Sequence, residues 1–95
     1  MWCFLKEELL NDIVPVITKF TDESDKAKAE ALVKKIDEVL VNSGSGYELE
    51  RMYFYDKSFK KEVEYFSESD SPYLALFGIK VVWLVTKAPH FYNDD

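Results

Sequence analysis

The chain has one cysteine and one histidine, Cys3 and His90, in 95 residues. A single cysteine forms no intrachain disulfide, so a disulfide-stapled secreted scaffold is excluded and a reducing, cytoplasmic setting is expected. One cysteine and one histidine also do not make a structural zinc site of the usual Cys/His kind. Glu-x-x-His on two helices, the mark of a di-iron carboxylate bundle, is missing too. Glycine and proline number three each. The pair Gly44-Ser45-Gly46 lacks the Lys-Ser/Thr of a phosphate loop, and Glu68-Ser69-Asp70 lacks the glycine and closing Glu of a calcium loop.

Long apolar runs are scarce as well. The most apolar window, Tyr73 to Val85, contains Lys80 and is shorter than the ~20 residues of a membrane-spanning helix. The segment Met1-Trp2-Cys3-Phe4-Leu5-Lys6-Glu7-Glu8 has no basic stretch followed by an apolar one, so no signal peptide is expected. Basic charge is in deficit. Twelve Lys and Arg stand against eighteen Asp and Glu, a net charge of −6 and a pI near 4.7. That balance opposes sequence-independent attraction to nucleic acid or anionic lipid, and it favours a basic protein as any electrostatically held partner. Residues 71–95 are balanced, with two acids and two bases, so the excess lies earlier in the chain.

What remains is a globular composition, 47% hydrophobic and 32% charged, sized for one domain spanning residues 1–95. Trp2, Leu5, Leu9, Ile13, Val16 and Phe20 recur in steps of three and four, predicting an amphipathic helix. Pro15 predicts a kink or break near Asn11–Val14. Thr21 to Asp25 offers caps for a second helix over Lys26 to Asn42, with Ala29, Leu32, Val33, Ile36, Val39 and Leu40 inward. The glycines at 44 and 46 supply positive φ for a stop and turn.

Tyr47 to Phe66 reads two ways. Leu49, Met52, Asp56, Phe59, Val63 and Phe66 follow a helical stripe, on which Asp56 is out of place. Tyr47–Tyr55 and Phe59–Phe66 also form a possible hairpin, with Ile79–Thr86 as a third strand. Ser71-Pro72 signals a helix start, with Ser71 as cap. A helix running on from there, apolar on nearly all sides, would be the buried centre of a bundle. The expected fold is mainly α, a small antiparallel bundle of about four helices. The alternative is α+β, two helices followed by a small antiparallel sheet.

Function is least legible. Seven of the fifteen aromatic residues and seven of the eighteen acids fall between Tyr47 and Asp70. On a helical wheel Tyr47, Phe54 and Tyr65 lie opposite the apolar stripe, among charges, which is the make-up of an interface anchor within a polar rim. Catalysis by Cys3 and His90, or by carboxylates among Glu48, Glu50, Glu62 and Glu64, finds no supporting motif. The expectation is therefore a non-enzymatic protein with no cofactor or metal. It would inhibit or neutralise a basic, nucleic-acid-handling protein, as immunity and anti-defence proteins do. The expected contact residues are Tyr47, Glu48, Glu50, Phe54, Tyr55, Glu62 and Tyr65. A homo-oligomer such as a homodimer, formed through the same aromatic surface, is the alternative.

Overall fold

The structure, a computed structural model, describes residues 3–43 and 46–91. Its first helical stretch is a chain of three pieces: α1 (Cys3–Glu8), a π-helical turn (Leu9–Ile13) and α2 (Val14–Ile17). Pro15 explains the middle piece. Lacking an N–H and crowding the carbonyl four residues back, it cannot sit in a regular α-helical ladder without strain. The chain widens instead, and Val14 N–H bonds to Leu9 O, five residues back. The widening also serves packing. Leu5, Leu9, Ile13 and Ile17 are all buried and all four apart, a spacing that drifts by about 40° per step on a regular α-helix. An under-wound turn holds them on one line. The burial falls on Ile17 rather than the expected Val16, which is only partly buried.

Asp22 starts α3 (Glu23–Ser43), its Oδ1 accepting from Ser24 N–H at 2.7 Å and Asp25 N–H at 3.2 Å. Along α3, Ala29, Leu32, Ile36 and Leu40 are buried, as their spacing requires. Gly46 precedes α4 at φ −68°, ordinary helical backbone rather than the positive φ expected of it. Gly44 lies outside the described residues.

The hairpin reading of residues 47–66 is overturned, and so is the single helix. The segment forms α4 (Tyr47–Tyr55) and α5 (Lys57–Ser67), parted at Asp56. Asp56 takes extended backbone, φ −94° and ψ 103°, and its Oδ1 accepts from Ser58 N–H at 3.0 Å and Phe59 N–H at 3.2 Å. The acid that did not belong on an apolar stripe is an N-cap.

α6 (Pro72–Thr86) contains all of Ile79–Thr86, so the strand alternative fails there too. Tertiary packing overrides the modest helix penalty of its β-branched residues. Pro72 holds the first turn, but the Ser71 hydroxyl makes no cap; Ser71 N–H donates instead to Ser69 Oγ at 3.1 Å. A last short helix, α7 (Ala88–Phe91), buries Ala88 and Pro89. The expectation of about four helices therefore undercounts, because Pro15, Asp56 and the final turn each divide or add a segment. No strand occurs among the described residues.

The core joins these pieces through rings. Phe66 of α5 meets Phe77 of α6 edge-on at 4.9 Å between centroids, and Phe20, just beyond α2, lies 6.0 Å from Phe66 and 5.7 Å from Phe77. Gly78 permits the closeness. A Cβ there would lie 2.5 Å from Ser67 Cα and 2.6 Å from the Phe66 carbonyl carbon, inside the backbone of α5. Glycine at 78, which reads as a possible stop in the sequence, is the point where two helices cross.

Candidate functional site

α4 presents the most exposed rings of the expected surface. Leu49 is buried on its inner side, with Met52 and Tyr53 partly buried. The helical repeat then turns Tyr47, Glu50, Arg51, Phe54 and Tyr55 outward. Tyr55 is 82% exposed and Phe54 55%. Both lie at the end of α4, where the Asp56 cap turns the chain into α5. Tyr53 closes the inner edge of this corner, edge-on to Phe54 at 5.4 Å, with Lys60 Nζ 5.7 Å from its own ring centre. Partial burial pushes the Tyr53 hydroxyl above the usual tyrosine pKa, and the nearby Glu64 and Glu68 carboxylates add to the shift.

At the other end of α4 the structure adds a residue that sequence spacing could not. His90, from α7, packs on Tyr47 at 5.2 Å between ring centroids, and its Nε2 lies 2.9 and 3.0 Å from the two Glu50 oxygens. An ionised carboxylate only accepts, so Nε2 carries the proton and donates. Glu48 pairs with Arg51 at 3.0 Å one turn along. Both acids expected to face a partner from α4 thus have cationic or hydrogen-bonding neighbours within the chain. His90 is forty residues from Glu50, and no signal short of the fold links them.

Glu62 and Tyr65 belong to a different place. They line a groove of about 400 Å³ between α3 and α5, with Lys28, Lys35, Lys61 and Phe66. Glu62 is bound by Lys35 at 3.2 Å. The Tyr65 hydroxyl donates to Asp25 Oδ1 at 2.7 Å, and Lys28 Nζ sits 4.2 Å over its ring. That hydrogen bond to Asp25 raises the Tyr65 pKa, desolvation and the Asp25 charge acting the same way and Lys28 opposing. The seven expected residues are therefore split: Tyr47, Glu48, Glu50, Phe54 and Tyr55 on α4, Glu62 and Tyr65 on the α3–α5 groove.

Among the described residues no group of three or more His, Cys, Asp or Glu is placed to hold a metal ion. The Cys3 side chain, and with it the Cys3–His90 pairing, lies outside the described residues. No described helix is long and apolar enough to cross a membrane. Comparison of the chain with protein-family models, curated proteins and solved structures finds no match to any of them.

Proposed function

We propose that the protein acts by binding, and that the outer face of α4 is where it does so, seated on a basic, nucleic-acid-handling protein that it inhibits or neutralises. The observation that carries this reading is the pair Phe54 and Tyr55, two adjacent rings held out at a capped helix corner whose opposite side is buried. Rigid rings with a charged rim gain much on desolvation and lose little side-chain entropy. A net charge of −6 steers such a surface towards a cationic partner and away from phosphate backbones. Glu48, Glu50 and Glu62 have partners of opposite charge or hydrogen-bonding character in the chain itself, which supports occlusion of a basic groove over imitation of a row of phosphates.

The test is affinity capture from the native host with wild type and with Phe54→Ala/Tyr55→Ala. A captured basic protein lost by the double variant, with the melting temperature within a degree or two of wild type, is the expected result. Binding should weaken with added salt, because the attraction is between exposed charges. A partner retained by the double variant overturns this placement. Self-association through the same α4 face is the competing reading, and a dimer that the double variant dissociates would establish it.

A further inference from the structure

α6 buries Phe77, Gly78, Val81, Leu84 and Val85 on one side and leaves a second apolar side uncovered. Tyr73, Leu76 and Ile79 are 47%, 40% and 58% exposed. Steps of three set them on one face, and the partly buried Trp83 continues it, its ring 6.2 Å from that of Phe91 in α7. A helix apolar on nearly all sides is thus covered on most of them and left open along one stripe. The exposed parts of Tyr73, Leu76, Ile79 and Phe91 amount to on the order of 400 Å², within the range of the largest apolar patch a monomer carries, which is often a functional one. A standard interface buries about 800 Å² per partner, a little over half of it apolar, so the patch matches that apolar share.

Charge selects the occupant. Lys80 is the one Lys, Arg, Asp or Glu in α6, and Asp12 of the π-helical turn holds it at 2.8 Å. The face is thereby close to neutral in a chain of net charge −6, and it gives a charged partner nothing to steer on. A second copy, which the rest of the acidic surface would repel, meets least repulsion here. Interfaces between identical chains are also the more apolar kind. We infer that α6 is a self-association surface. A second copy lays its own Tyr73, Leu76 and Ile79 against these residues about a two-fold axis, with an Asp12–Lys80 pair at each rim. The surface shares no residue with the α4 face, so the inference stands apart from the function proposed above, and a dimer would carry that face twice.

Light scattering and sedimentation of the full chain test it, over a range of concentrations, with wild type, Ile79→Asp, Leu76→Asp and, as a control, Tyr55→Asp. Wild type should reach twice the 11.1 kDa chain mass. Each α6 variant should weaken the dimer by about 30-fold or more, as loss of an interface anchor does, and Tyr55→Asp should not. Ile79 and Leu76 face solvent in the monomer, so circular dichroism should show both variants folded; the salt series on wild type gives a readout that needs no variant. Salt should tighten the dimer, since it screens repulsion between two acidic copies and leaves apolar burial intact. A protein monomeric throughout the range, including one that instead takes up lipid vesicles through α6, overturns the inference. So does a dimer loosened by salt, one indifferent to both α6 variants, or one broken by Tyr55→Asp.

Discussion

Asp56 shows how much one side chain does in a chain this small. Its carboxylate satisfies two of the backbone donors at the start of α5 and fixes the corner that presents Phe54 and Tyr55. Asp56→Ala should cost about 1 kcal/mol, within the usual 0.5–2 kcal/mol for loss of an N-cap, and Asp56→Asn should recover most of it. Urea unfolding of the three proteins measures both. Tyr65 carries a different signature. Its pKa is raised in the folded chain, chiefly by the bond to Asp25, so the neutral phenol is the form the fold favours. That contribution is whole below the ordinary tyrosine value of about 10 and is lost as pH climbs through the raised folded value, where a tyrosinate would face the Asp25 carboxylate. Thermal melts should therefore fall above about pH 10, and less steeply in Tyr65→Phe. An equal fall in both places the alkaline loss elsewhere.

At the scale of elements, the crossing of α5 and α6 holds the sharpest constraint. Alanine is the better helix former by about 1 kcal/mol, which alone would make Gly78→Ala stabilising. The new Cβ would meet backbone atoms of Phe66 and Ser67 rather than a side chain that can swing away. The two helices would have to part, loosening the contacts of Phe66 with Phe20 and Phe77. Overpacking of this kind costs about 1–3 kcal/mol or more, so the net sign is destabilising. Chemical denaturation decides it, and a Gly78→Ala variant as stable as wild type would show that α5 and α6 do not cross so closely. The ion pairs between elements, Lys6–Asp37, Lys35–Glu62 and Lys80–Asp12, are all solvent-accessible. They orient helices already held by apolar burial and add little to stability one by one.

Over the whole molecule, the two proposed surfaces respond to salt in opposite senses: a basic partner on α4 is released as charge is screened, whereas two acidic copies joined at α6 are held more firmly. A salt series followed on both complexes separates them. Much of this architecture was written in the sequence. The steps of three and four from Leu5 to Phe20 and over residues 26–42 marked most of the buried sides of those helices, with Ile17 buried in place of Val16, since apolar residues at that spacing gather on one face in water. Leu49, Phe59, Val63 and Phe66 likewise named the inner face of residues 47–66. Pro15 announced an irregular turn, and the acid excess with a single cysteine and a single histidine set the chemistry to be expected.

Other features needed the tertiary structure, because they depend on residues far apart in the chain. The choice of helix for Ile79–Thr86 came from packing α6 against α5, which outweighs β-branched propensity. The role of Gly78 is visible only with Ser67 across from it, and that of Glu50 only with His90. Asp56 is out of place on a single helix over residues 47–66 and is a cap once the chain turns there. Whether an all-apolar helix lies at the centre or the edge is likewise not a local property: its own periodicity is the same in both cases, and only the position of its neighbours left Tyr73, Leu76 and Ile79 facing water.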